Sequence, residues 1–109
     1  MLRWYRVFRD LENAKKAVPL NHAQLIVAKG RKICLAHSNS GFHVVDDFCP
    51  HLGESLSKGN INFLNEIICP WHSYRFNLKN GEECRGRTPR LTVHQIKHDS
   101  SGFYIGIDE

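Results

Sequence analysis

The sequence predicts an all-β chain, an antiparallel sandwich or barrel, on three observations. Short runs of apolar residues, several of them alternating with polar ones, recur along its whole length. Turn-forming groups of Gly, Asn and Ser punctuate those runs at close, regular spacing. The length, 109 residues, holds one small domain with one core, so residues 1–109 are read as a single unit. Many short strands in so small a unit indicate a sandwich or barrel.

The elements follow in order. Trp4 to Phe8 alternates large apolar and basic side chains, the pattern of a half-buried strand, with Trp4 expected in the core. Asp10 to Ala17 reads as a short helical turn, capped by Asp10 and ended by Pro19. Gln24 to Ala28 and Lys32 to Ala36 flank a hairpin turn at Lys29-Gly30-Arg31, and Asn39-Ser40-Gly41 leads into a strand from Phe42 to Asp46. Ile61 to Leu64 and Ile67 to Ile68 are expected as strands about an Asn65-Glu66 turn. Tyr74 to Leu78 precedes the turn pair Asn80-Gly81. Leu91 to His98 and Phe103 to Ile107 form the last hairpin about Ser100-Ser101-Gly102.

Composition excludes several classes. Hydrophobic residues make up 41% of the chain, too many for a disordered segment. No apolar run nears the roughly 18 residues of a membrane span. Charges interrupt the first ten residues, which carry no signal-like apolar stretch, so the expected compartment is the cytoplasm. The net charge of +4 comes without a Lys/Arg block or an aromatic-basic motif, which argues against nucleic acid as partner. In a reducing compartment the four cysteines, Cys34, Cys49, Cys69 and Cys84, stay thiols. Cysteines mixed with histidines then point to metal.

Two boxes carry the chemistry. The first is Cys49-Pro50-His51-Leu52-Gly53, the second Cys69-Pro70-Trp71-His72, with seventeen residues between His51 and Cys69. Each offers one thiolate and one imidazole just after a strand, so two loop tips can enclose one compact centre. A single zinc ion with two Cys and two His is allowed by residue type. Common zinc modules, however, pair two cysteines in one knuckle. The order Cys-x-His, then Cys-x-x-His, resembles instead the motif of Rieske-type ferredoxins, in which two imidazoles replace two thiolates on one iron of a [2Fe–2S] cluster. Leu56, Gly59, Phe76, Gly81, Pro89 and Leu91 also fit that family's pattern, so the resemblance runs from Trp4 to Ile107. It implies an all-β Rieske fold with a small cluster-binding subdomain at approximately residues 46–78. It also implies one [2Fe–2S] cluster, with Cys49 and Cys69 on one iron and His51 and His72 on the other.

Two departures from the respiratory branch of that family are informative. Its extra cysteine pair, a disulfide beside the cluster, falls here on Glu54 and Trp71, so that bridge cannot form. Its Gly-Ser after the second His is replaced by Ser73-Tyr74, which leaves open whether either residue reaches the cluster. Losing such a hydrogen bond lowers the potential. The expected midpoint therefore lies in the lower part of the Rieske range of about −150 to +300 mV. Neutral imidazole ligands leave the site less negative than four thiolates would. They also provide a free ring nitrogen whose protonation should make the midpoint fall at alkaline pH.

The resemblance implies a one-electron carrier rather than an enzyme by itself, passing electrons from a flavin reductase to an oxygenase or another terminal oxidoreductase. A length of 109 residues leaves no room for a flavin, nicotinamide or mononuclear-iron domain. The second reading is the electron-transfer small subunit of a larger enzyme such as NADH-dependent nitrite reductase; the third is a zinc-stabilised binding module. Pro50, Leu52, Pro70 and Trp71 are expected to shield the cluster and meet the partner. Arg75, Lys79, Arg85, Arg87 and Arg90 either steer an acidic partner or are scattered solvated charges. Cys34 reads as a buried small hydrophobe and Cys84 as a free thiol in a loop. His22, His37, His43, His94 and His98 are assigned no ligand role, only surface or half-buried positions.

Overall fold

The computed structural model describes residues 1–50, 53–71 and 73–109; His51, Leu52 and His72 lie outside the described residues. Among the described residues nine strands build two antiparallel sheets. The larger has the order β1-β9-β8-β4-β3-β2 and the smaller β5-β6-β7. The strands are β1 (Leu2–Phe8), β2 (His22–Ala28), β3 (Arg31–Ser38), β4 (Gly41–Asp46), β5 (Asn60–Ile61), β6 (Glu66–Ile68), β7 (Arg75–Asn77), β8 (Val93–Asp99) and β9 (Gly102–Asp108). The all-β class is present, and each predicted strand overlaps an observed one, Ile61 to Leu64 only at Ile61.

A short helix, α1 (Leu11–Ala17), follows β1. The Asp10 carboxylate caps it by accepting the Asn13 N–H at 2.8 Å, with Glu12 in the first turn and Lys15 and Lys16 in the last. It ends where Val18 donates back to the Ala14 carbonyl, just before Pro19. Ala14 and Val18 pack against Ile33, Leu35, Val44, Phe103, Ile105 and Ile107.

Strands β3 and β4 form a wall between two cores. Ile33 and Leu35 face the helix side with Val44, while Cys34 and Ala36 face the small sheet with Val45. All six are fully buried. A strand buried on both faces reads as an uninterrupted apolar run, as Ile33-Cys34-Leu35-Ala36 does. On the small-sheet side the core continues through Leu56, Ile61, Ile67, Phe76, Leu78, Leu91 and the thiols of Cys49 and Cys69.

Three features hold the small sheet against the wall. Ser40 Oγ donates to Asn65 Oδ1 at 2.9 Å, joined by Ser38 Oγ, and Asn39 Nδ2 donates to the Phe63 carbonyl at 3.1 Å. The β3–β4 turn is thereby tied to the β5–β6 turn. Gly81 has φ +80°, and a Cβ there would lie 2.2 Å from the Leu91 carbonyl oxygen, so the chain entering β8 presses directly on that backbone. A Cβ on Gly59 would lie 1.9 Å from the Ile68 carbonyl oxygen, which seats a 3-10 turn at Leu56–Lys58 on the end of β6.

Some expectations are corrected. Phe63 and Leu64 are exposed turn residues, not strand. The turn spans Asn62 to Asn65, because Asn62 Oδ1 accepts the N–H groups of Leu64 and Glu66 and so makes a local turn an apolar pattern cannot reveal. The β2–β3 turn is Lys29-Gly30, with Arg31 already in β3. Trp4 belongs to neither core: its ring covers Gly106 and carries the Lys97 ammonium 4.3 Å above it. Small Gly106 leaves an outer groove that the indole fills. His94, expected at the surface or half-buried, is buried because Asp46 Oδ1 lies 2.8 Å from its Nε2 and compensates the ring's desolvation.

Candidate metal centre

Cys49 and Cys69 each follow a strand end, and each backbone N–H is tied to the carbonyl five residues on. The first loop starts from a fixed base. Asp46, the last residue of β4, takes a bidentate contact from Arg31 at 3.1 and 3.3 Å besides its contact with His94. The buried Asp47 carboxylate then accepts the Ser57 N–H at 2.6 Å and the Ser55 hydroxyl, pinning the start of the 3-10 turn. Between these anchors the Cys49 N–H donates to the Glu54 carbonyl at 2.9 Å. The second loop repeats this closure: the Cys69 N–H donates to the Tyr74 carbonyl at 2.8 Å. In each loop the fourth residue after the cysteine has left-handed backbone, Gly53 at φ +76° and Ser73 at φ +56°.

The two loops deliver their sulfurs to one place. Cys49 and Cys69 are fully buried members of the same core, and the Cys69 side chain hydrogen-bonds that of Cys49. Burial pushes the Cys69 thiol up to about 11, partly opposed by the Trp71 backbone N–H at its sulfur. Without metal this thiol therefore stays protonated at neutral pH, and metal loading must release its proton. All four cysteines are free thiols: Cys34 is buried beneath the site, with burial pushing its thiol far up, and Cys84 is exposed in a loop. Two adjacent soft donors, shielded by Leu56, Ile61 and Phe76, fit one side of an iron–sulfide cluster. The expected imidazole donors His51 and His72 lie outside the described residues.

The Rieske [2Fe-2S] domain profile matches residues 4–97. The chain belongs to that family. Its members bind a [2Fe–2S] cluster, so the cofactor expected from the motif is that of the family. The Rieske chain is 31% identical over 78 residues to the 3-phenylpropionate/cinnamic acid dioxygenase ferredoxin subunit of Photorhabdus laumondii, covering 71% of this chain and 74% of that protein. Solved structures share the fold. The ferredoxin of carbazole 1,9a-dioxygenase from Nocardioides aromaticivorans superposes with TM-score 0.79 at 15% identity, covering 94% of this chain and 95% of that one. A putative NADH-dependent nitrite reductase small subunit from Mycobacterium tuberculosis gives 0.83 at 14% identity, covering 100% and 98%.

The structure brings Glu54 and Trp71, the substituted disulfide positions, into contact. The Glu54 carboxylate is held below its usual range first by the Ser55 N–H at 2.9 Å and then by the Trp71 side chain. A polar contact between the loops thus stands at these two positions of the Rieske chain. Ser73 is exposed and serves the loop through its backbone.

The basic residues divide. Arg75 pairs with Glu66 at 3.7 Å and Arg87 with Glu83 at 2.7 Å, so both have partners within the chain. The Glu83–Arg87 pair was not legible in the sequence, because its i, i+4 spacing signals a pair only on a helix and these residues flank a turn. Its Arg87 hydrogen bonds hold the Glu83 carboxyl far below the ordinary carboxylate range. A depressed folded-state value contributes stability that is present above the unfolded value, about 4.3, and is lost on acidification below it. Urea denaturation should therefore show the advantage of the native chain over Glu83→Gln at pH 7 shrinking between about pH 5 and pH 3. An unchanged difference would contradict this assignment. The other histidines have structural partners: His37 Nδ1 lies 2.8 Å from the Val18 carbonyl oxygen, and His43 Nε2 lies 2.9 Å from Ser40 Oγ. Among the described residues no group of three or more His, Cys, Asp or Glu side chains gathers as a metal site.

Proposed function

We propose that Cys49, His51, Cys69 and His72 hold one Rieske-type [2Fe–2S] cluster, and that the chain, one unit over residues 1–109, serves as a one-electron carrier. The observation that carries this reading is the meeting of two buried thiols from two similarly closed loops in a chain of the Rieske family. When bound, the cluster supplies a one-electron couple. The protein's residues hold and shield it. Leu56, Ile61 and Phe76 exclude water from the sulfur side, and the Trp71 N–H stabilises negative charge on Cys69. Phe48 and Trp71, 57% and 53% exposed, offer an apolar face beside the loops to a redox partner. Such transfer interfaces are small and transient.

A flavin reductase as donor and an oxygenase as acceptor are the partners this reading assigns, with catalysis in the partner and the pair in the cytoplasm. The similarity to a dioxygenase ferredoxin subunit supports it, as does the likeness, TM-score 0.78 at 20% identity, to the ferredoxin chain in a complex of oxygenase and ferredoxin of carbazole 1,9a-dioxygenase. No helix of the described residues is long and apolar enough to cross a membrane. The end-to-end likeness to a nitrite reductase small subunit favours a second reading, a fixed electron-transfer subunit. Stable co-purification with a large flavin or sirohaem protein would favour it over the carrier.

The test is metal and sulfide analysis with low-temperature EPR of the reduced protein. Two iron and two sulfide per chain, with a midpoint in the lower part of the range from about −150 to +300 mV, are expected. One zinc and no sulfide would refute the proposal.

A further inference from the structure

The second cysteine loop is held from outside by a segment that the motif does not include. Residues 82–84 run beside β7: the Asn77 N–H donates to the Glu82 carbonyl at 2.8 Å, the Cys84 N–H to the Arg75 carbonyl at 2.9 Å, and Glu83 bridges Phe76. This fixes the Glu83 backbone, and its side chain is fully buried. The chain then turns, with the Gly86 N–H on the Glu83 carbonyl at 2.9 Å, and Arg87 folds back. Three of its donors reach one carboxylate: the backbone N–H and Nε to Oε1 at 2.8 and 3.0 Å, and Nη2 to Oε2 at 2.7 Å. The guanidinium cannot rotate while all three are made. Its Cζ lies over the Tyr74 ring, 3.7 Å from the ring centre. Tyr74 is the residue whose carbonyl closes the loop on the Cys69 N–H, and its ring packs against the core that contains both thiols.

We propose that Glu83 and Arg87 form a clamp on Tyr74 that positions the Cys69–Tyr74 loop for the cluster. Arg87 is thus a positioning residue rather than a steering charge, and this rests on the cluster reading given above. A buried carboxylate orients a rigid cation, the cation covers an aromatic face, and the aromatic residue's carbonyl sets the Cys69 backbone. The clamp grips a loop rather than a strand. Its loss should therefore free the ligand loop while leaving the sheets paired.

The test compares the loaded native chain with Arg87→Ala, Arg87→Lys and Tyr74→Leu. The readouts are the rate of iron release to a chelator, the EPR g-values and, in the metal-free chain, hydrogen exchange of the Cys69 amide. Arg87→Ala should release iron about 10–100-fold faster, the usual effect of removing a residue that orients a metal ligand, with shifted g-values and faster Cys69 exchange. Arg87→Lys should behave like Arg87→Ala, because lysine restores the charge but not the rigid three-point contact. Tyr74→Leu keeps the apolar fill and the carbonyl but removes the covered face, and should act in the same direction. It also serves as the test if Arg87→Ala fails to fold. Unchanged release and g-values in Arg87→Ala and Tyr74→Leu overturn the clamp, as does full rescue by Arg87→Lys. A native chain without iron and sulfide refutes the cluster reading itself, whereas a loaded native chain with indistinguishable variants refutes only the clamp.

Discussion

Cys69→Ala is expected to yield a chain with no iron–sulfide cluster, while Cys84→Ala retains the full content of two iron and two sulfide. The contrast follows from position. Cys69 is buried against Cys49 in the core between the loops, whereas Cys84 is exposed and accepts from Arg75 Nη2 at 3.6 Å. Removing one thiolate leaves the centre one ligand short, and a methyl side chain offers no donor in its place. Iron and sulfide analysis of the two purified variants, with circular dichroism to verify the β-sheet, makes the comparison. Iron retained in Cys69→Ala, or lost in Cys84→Ala, would contradict the ligand assignment. The variant Cys69→Ser separates geometry from ligand type. It preserves shape but offers a harder donor, and should hold little or no cluster.

Phe76→Ala is expected to cost about 3–5 kcal/mol of folding stability, the range for truncating a buried aromatic side chain. Phe76 is fully buried and joins Leu56, Ile67, Leu78 and both thiols in one core. A domain of this size commonly has only about 5–15 kcal/mol in total. The variant should therefore show a markedly lower urea midpoint and poor cluster retention, since the same side chain shields the thiols. A loss below about 1 kcal/mol would mean that the small sheet repacks around the gap.

The succession of strands along the chain was legible because each strand has an apolar face and a turn beside it, but their order in the sheets was not. Asp10 as helix cap was legible for a local reason, the reach of its own side chain to Asn13. The two cysteines of the boxes were picked out by their spacing and the family motif it resembles, whereas their shared burial in one core is a tertiary fact that no local pattern carries. What stayed hidden depends on pairs distant in sequence. His94 carries no local sign that Asp46 will face it across the β4–β8 pairing. Asn65 looked like an ordinary turn residue, yet it receives two serine hydroxyls from the β3–β4 turn. Arg87 looked like one more surface cation because neither Glu83 burial nor the nearness of Tyr74 is written in the local pattern.

The wall of β3 and β4 has a consequence for cooperativity. Neighbouring residues on one strand serve opposite cores, Cys34 and Ala36 one, Ile33 and Leu35 the other. Neither half can melt without exposing the back of the other, so the two sheets should open as one unit. A ligand that binds only the folded chain stabilises every part of such a unit. Occupancy of the loops should thus raise the protection of backbone amides as far away as Ile105 in β9, behind the wall, where no metal ligand is expected. Slow hydrogen exchange on that remote strand would then report whether the centre is filled.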